Sequence, residues 1–413
     1  MLASILARFT RTKALTGFGH DCVTRVTTRP SLNLAGLCLV ALLTLMVGCN
    51  RDSNSQTTQQ QAKSDTGLTS VSNEAASRTS RLSQYRSKLS DYGLFQEPMG
   101  KLQPAEGVIE YQLNTPLFTD YAQKQRLIKL PAGTAIDYTP HGPLDFPVGT
   151  IIAKTFYYAH DLQPDQIEGQ GQRQLIETRI LENRGGEVGW VGIPYVWNED
   201  QTDAELAIAG DAIDVSWIHT DGTVRKNVHA VPNLNDCKRC HTNLVMEPVG
   251  PKANNLNLRL DGRNKNLTRA APVNQLVAWQ DMGWLRGLPD LDSVPRLVKW
   301  DDPSESIHDR ARAYLDVNCA HCHNEQGPAR NSGLHLNVEE QQAYRLGKFK
   351  TPVAAGKGTG GRMYGIVPGK PDESIMEYRM RTTKPGEIMP EFGKSLVHEE
   401  GLALIREWIE QME

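Results

Sequence analysis

Two short stretches hold the residues best suited to chemistry. DCKRCH (Asp236–His241) and NCAHCH (Asn318–His323) each set two cysteines three apart, with a histidine directly after the second. On a helical turn, positions i, i+3 and i+4 share one face. Two thiols so placed reach the two vinyl groups along one edge of a porphyrin and form thioethers, while the adjacent imidazole reaches the iron. Cys-x-x-Cys-His is accordingly the attachment pattern of c-type haem. The spacing assigns Cys237 and Cys240 to one haem with His241 on its iron, and Cys319 and Cys322 to a second with His323. The expected cofactors are two covalently bound haem c groups. Two Cys-x-x-Cys pairs can also build a four-cysteine zinc site, but such pairs usually lie about fifteen to twenty residues apart. Here they are 82 apart and each carries the trailing histidine. A thioredoxin-like redox pair lacks its βαβ context.

The sixth iron ligand decides what each haem can do, since a distal methionine raises the potential and closes the site. Behind His323 stand Met363, Met376, Met380, Met389 and Met412. Met376 and Met380 fall on one face of a short helix and Met412 in the last turn of another, where packing explains them. Met389 lies in PGEIMPEFG, and Pro390 keeps it out of helical geometry, as suits a side chain offered from a loop. It is the expected distal ligand of haem 2. For haem 1, Met246 is too near His241 to swing round the ring. Met282 is far enough downstream to ligate, and reads equally well as core. His229 is a weaker candidate that reads better as a strand-surface residue. By helical phase His321 points away from its haem, and His141, His160, His335 and His398 are most simply surface residues. The distal side of haem 1 stays open.

The elements that must position these residues come in two styles. Between about Leu82 and Asn235, TIIAKTFYYAH (Thr150–His160), QLIETRILENR (Gln174–Arg184), VGWVGIPYVWN (Val188–Asn198) and AIDVSWIH (Ala212–His219) are rich in Val, Ile, Tyr, Trp and Thr with partial alternation. They read as strands, with His219–Gly222 as a hairpin turn. Beyond Pro232 the chain is loop-rich, with helices expected from about Pro272 to Leu285, from an N-cap at Ser304 or Ser306 into the second motif, and from about Val397 to Met412. The fold class implied is β + α: an N-terminal β-sandwich-like domain at 81–235, a haem 1 segment at 236–298, and an α-helical cytochrome c-like haem 2 domain at 299–413.

Ahead of these, SLNLAGLCLVALLTLMVGC (Ser31–Cys49) is apolar and uncharged, and follows five basic residues and one acid. This is the build of an export signal. Met46-Val47-Gly48-Cys49 resembles a bacterial lipoprotein cleavage box, which makes Cys49 the lipidated residue, residues 1–49 the signal peptide, and the polar stretch 50–80 a disordered tether. A membrane anchor and simple secretion are the alternatives. Without residues 1–49 the chain holds 40 Lys+Arg against 47 Asp+Glu, a formal charge of −7, which argues against nucleic acid or anionic lipid as partner.

Taken together, LNTPLFTDYAQKQRLIKLP (Leu113–Pro131), FPVGTIIAKTF (Phe146–Phe156), VPNLNDCKRCH (Val231–His241), PVGPKANNLN (Pro248–Asn257), NQLVAWQDMGWL (Asn274–Leu285), RARAYLDVNCAHCHN (Arg310–Asn324), PVAAGKGTGGR (Pro352–Arg362) and IMPEFGKSLVHEEGLALIREWI (Ile388–Ile409) resemble the two-haem (dihaem) c-type cytochromes of Gram-negative bacteria, often lipoproteins. The resemblance covers essentially all of 85–413. It implies electron transfer at the periplasmic face of the cell envelope, by an outer-membrane lipoprotein, with a redox protein as partner. A parallel β-helix repeat protein is suggested as a partner by association only.

The leading expectation is a membrane-tethered two-haem electron carrier. A haem enzyme of peroxidase or oxidase type, using an open haem 1, is the second reading. A ligand-sensing module is the third.

Overall fold

The alternating segments do form strands, and their alternation gives the sheet two unlike faces. The computed structural model describes residues 84–163, 172–242, 245–260 and 273–413, all within one compact unit spanning 69–413. Strands β1 (Val108–Glu110), β2 (Gln123–Lys129), β4 (Ile151–Ala159), β5 (Arg173–Asn183), β6 (Trp190–Trp197) and β7 (Ala204–Leu206) make one antiparallel sheet in the order β1-β2-β4-β5-β6-β7. Leu127, Ala153, Ile180 and Ile193 lie opposite one another in adjacent strands. They face a core closed by Leu89, Tyr92 and Met99 from single turns near the start of the described chain, and by Phe95 between those turns. One residue along, Ile109, Ile128, Ile152, Leu181 and Gly192 form a row on the other face.

That second face meets β3 (Ile136–Asp137), paired with β10 (Leu285–Arg286), and the short helices α2 (Ala253–Leu256) and α3 (Gln275–Asp281). The hairpin β8 (Asp211–Ile218)–β9 (Val224–Val231) extends the strand layer beyond the end of β4, where the Ile218 N–H donates to the His160 carbonyl at 2.8 Å. β9 then runs directly into the first motif.

The expected architecture needs correction. The second face of the sheet is covered by irregular chain, short helices and the two-residue strands β3 and β10, so no sandwich forms among the described residues. Nor do α-helical cytochrome c-like domains follow. Among the described residues the later chain is mostly loops and turns carrying the single-turn α1 (Cys237–His241), α4 (Ile307–Asn318), α5 (Ile375–Arg381) and α6 (Glu399–Glu410). Two of the helices start at side-chain caps. Asn274 caps α3 by accepting the Leu276 N–H at 2.9 Å, and Ser306 caps α4 by accepting from Asp309 at 3.0 Å, a contact worth about 1 kcal/mol. α4 stops at Asn318, so the second motif lies in turns. Pro272, Cys49 and the whole of 1–83 lie outside the described residues. No helix among those described is long and apolar enough to cross a membrane.

α4, α5 and α6 enclose a core that includes Leu315, Ile366, Met380, Ile405 and Trp408. This part is fastened to the sheet through polar and aromatic contacts. The Asn318 Oδ1 accepts the Phe118 N–H at 2.8 Å, and the Phe118 ring stacks on His398 at 4.1 Å. The Asp120 carboxylate accepts the N–H groups of Ser395 and Leu396. The segment that follows Met389 is thereby pinned to the strand layer.

Candidate functional site

Both motifs open onto one cavity. In α1 the Thr242 N–H bonds the Lys238 carbonyl, and in the second motif the His323 N–H bonds the Cys319 carbonyl at 3.0 Å. Each motif thus closes a helical turn that groups its cysteines and histidine. Between the sheet and the C-terminal core lies a cavity of about 970 Å³ lined by all six motif residues, at the upper end of the roughly 300–1,000 Å³ usual for ligand pockets. The motifs also touch. The Cys322 sulfur lies 3.9 Å from the Arg239 carbonyl oxygen, and the Cys240 sulfur faces both Cys322 and His321. Hydrogen bonding from Cys322 and the nearness of His321 lower the Cys240 thiol, while the same pairing and burial raise that of Cys322. Burial, with the Asp316 carboxylate adding to it and Lys394 opposing, pushes Cys319 up to about 12. All four cysteines are free.

Gly192 on β6 allows the first motif to sit this close. A Cβ there would stand 2.7 Å from the Cys237 Cβ and 2.8 Å from its sulfur. No larger residue fits without moving α1 off the sheet.

The two histidines are held alike. His241 Nδ1 lies 2.9 Å from the Glu247 carbonyl oxygen, which can only accept, so Nδ1 carries the proton. His323 Nδ1 lies 3.0 Å from Ser332 Oγ, whose own proton goes to the Ala329 carbonyl at 2.7 Å, so Nδ1 donates here as well. In both rings Nε2 keeps its lone pair, and no partner among the described residues takes it. Burial, with Lys154 beside His241 and with His321 and Arg379 near His323, lowers both imidazoles to about 4. They are neutral at physiological pH. A neutral imidazole with Nδ1–H fixed by an oxygen and Nε2 free is the state in which histidine binds a metal.

Met389 lines the cavity half-buried, its N–H held by the Arg379 carbonyl at 2.8 Å. Phe392 in the same loop lies under the Arg239 guanidinium at 4.0 Å, which ties the loop to the first motif. Met376 and Met380 also line the cavity, and both pack in the C-terminal core as their helical phase suggested. Met282, by contrast, caps the C-terminus of α3, 42 % exposed, and is not part of the lining.

Three histidines differ from their expected surface or outward placement. His229 is buried between Glu177, 2.7 Å from its Nε2, and Tyr158, 3.3 Å from its Nδ1, so both nitrogens are engaged. His398 is buried against Phe118. His321 lines the cavity, its buried Nδ1 without a hydrogen-bond partner among the described residues, because α4 ends before the motif and helical phase does not carry through.

No protein-family model matches the chain, and no curated protein or solved structure matches it.

Among the described residues no three His, Cys, Asp or Glu side chains converge as metal ligands. A four-cysteine zinc centre needs such convergence. A haem does not, because the porphyrin supplies four of the iron's ligands and the chain one or two. Paired thiols, a free Nε2 beside each pair and a large cavity fit two haems. Sequence reasoning missed a row of cations on the cavity wall, Arg126, Lys154 and Arg179 in β2, β4 and β5. The signal lies in Lys124-Gln-Arg126 and in the lone charges Lys154 and Arg179 inside otherwise apolar strands.

Proposed function

We propose that the chain is a two-haem c-type electron-transfer protein, tethered by a lipid on Cys49 at the periplasmic face of the bacterial envelope and exchanging electrons with a redox partner protein. The observation that carries this reading is the matched pair of imidazoles, each with Nδ1–H tied back and Nε2 free beside a Cys-x-x-Cys turn, both on one cavity. Bound haem iron supplies a reversible one-electron couple. The chain's part is to hold and tune it. Cys237, Cys240, Cys319 and Cys322 provide four thiols for attachment, and His241 and His323 provide the proximal nitrogens. Met389 is the sixth-ligand candidate on the second side. The shared cavity and the contact between motifs favour two neighbouring groups over two isolated ones. The tether and location rest on the Ser31–Cys49 pattern and on the resemblance to dihaem cytochromes of Gram-negative bacteria.

A haem enzyme with an open first site is the second reading, and one observation favours it. The methionines lining the cavity, Met376, Met380 and Met389, all belong to the C-terminal part, and His229 is committed to Glu177 and Tyr158. The test is haem stoichiometry by the pyridine method, followed by the reduced spectrum with and without carbon monoxide. Two haems and no spectral change support the carrier. Carbon monoxide binding at half the haem supports the enzyme. Fewer than two haems defeats both.

A further inference from the structure

The cavity wall on the sheet side carries positive charge that the described residues balance only in part. Arg126, Lys154 and Arg179 are directly opposite one another in three adjacent strands. Facing pairs in a sheet have Cβ atoms about 4.5–5.5 Å apart, and like charges so placed repel. Arg179 is neutralised by Glu177, whose two oxygens take its Nε and a terminal nitrogen. Neither of the other two has an ion-pair partner among the described residues. Arg126 makes one long contact, 3.4 Å to the Lys124 carbonyl. The Lys154 ammonium has no hydrogen-bond or ion-pair partner among the described residues and lies 5.8 Å from the Phe156 ring centre. Nine Lys and Arg but only four Asp and Glu line the cavity, in a chain whose acids outnumber its bases. Those four acids are already engaged: Asp120 by Ser395, Asp236 by Arg239, Asp316 by Lys252 and Glu391 by Arg379. The cost is visible in Lys154, which burial and the two neighbouring guanidinium groups lower to about 7.

We propose that Arg126 and Lys154, with Arg179 completing the row, form a carboxylate-binding site in the cavity wall. The planar guanidinium groups offer paired N–H donors that match carboxylate geometry, and the ammonium between them adds a point charge. The apolar row Ile128–Ile152–Leu181 immediately beside the site suits a carboxylate borne on an apolar body. Two sources have this chemistry: the propionate of a haem held at the first motif, or a soluble carboxylic acid entering the cavity. The site stands on the sheet geometry alone, and only the propionate source rests on the haem reading.

The experiment uses the purified full-length protein, with haem content measured first, alongside Lys154→Gln, Arg126→Gln and the charge-retaining Lys154→Arg. Calorimetric titration with succinate reads the soluble source. Resonance Raman propionate modes and the midpoint potentials read the haem source. Saturable succinate binding, weakened about tenfold or more in Lys154→Gln and restored in Lys154→Arg, identifies a soluble ligand. No succinate binding, with shifted propionate modes and a lower potential for one haem in Lys154→Gln, identifies the propionate. A protein without haem sinks the haem reading and leaves the succinate arm intact. If wild type binds no succinate and folded Lys154→Gln and Arg126→Gln proteins keep wild-type Raman modes and potentials, the site is overturned.

Discussion

The Cys322 sulfur lies 3.9 Å from the Arg239 carbonyl oxygen, so the second motif rests on the first although the contact joins residues 83 apart in sequence. With Cys240 facing Cys322 across the same contact, the nearest thiol partner available to either motif includes the other. This yields a prediction for chain prepared without haem. Oxidised glutathione should take two electrons and the two thiol protons to leave a Cys240–Cys322 disulfide. Peptide mapping under non-reducing conditions should recover the cross-motif pair. Recovery of only Cys237–Cys240 and Cys319–Cys322 would count against the contact.

The Ser332 hydroxyl fixes the His323 tautomer by accepting from Nδ1 while donating to the Ala329 carbonyl. An acceptor on Nδ1–H makes the ring a stronger donor through Nε2, which favours the oxidised iron. Ser332→Ala removes the acceptor and leaves both cysteines in place. Haem content should be unchanged, and one midpoint potential should rise by on the order of 40 mV, the worth of a neutral hydrogen bond of about 1 kcal/mol. Spectroelectrochemical titration measures this. An unchanged potential would mean that the bond to Ser332 does not form when haem is bound.

Met389 and Met282 should behave differently on substitution. Met389→Ala removes a side chain that lines the cavity, so one reduced haem should become open to carbon monoxide and its potential should fall. Met282→Ala, at an exposed helix end, should change neither. Met380→Ala is the internal control, because Met380 is a core residue. It should cost about 2–5 kcal/mol of stability without opening a haem. Carbon monoxide binding in the Met380 variant and not in the Met389 variant would reassign the ligand.

Much of the strand layer was legible because alternation is local. Ile151–Ala159 and Arg173–Asn183 carry their pattern in their own residues. What covers the sheet was not, because the turns bearing Leu89, Tyr92 and Met99 have no period that distinguishes them from surface loop. The site shows the same division. The Cys-x-x-Cys-His turns are contiguous and could be read directly, whereas the acceptors that set their tautomers, the Glu247 carbonyl and Ser332, depend on loop paths. His321 faces the cavity rather than away from it because Cys319 already has non-helical geometry as the C-cap of α4, which breaks the helical phase. The cation row needed the register of three strands, which no single segment contains.

His398 supplies a test of the packing between the strand layer and the C-terminal helices that is independent of any cofactor. It is buried, stacked on Phe118 at 4.1 Å and 3.0 Å from the Tyr314 hydroxyl through Nδ1. Burial, then the nearby Lys394 and Lys124, lower its imidazole to about 3, against about 6.5 in an unfolded chain. Between those values the unfolded state binds a proton that the folded state refuses, so stability rises with pH. The contribution is fully present above about pH 6.5 and is lost as pH falls towards 3, with a slope of at most about 1.4 kcal/mol per pH unit. His398→Phe keeps the ring stack and removes the titration, at about 1 kcal/mol for the lost Tyr314 hydrogen bond near neutral pH. Urea unfolding midpoints at pH 7, 6 and 5 should fall more steeply for wild type than for the variant, and the two curves should approach each other at acid pH. Parallel curves would show that His398 takes up a proton without disturbing the packing around Phe118.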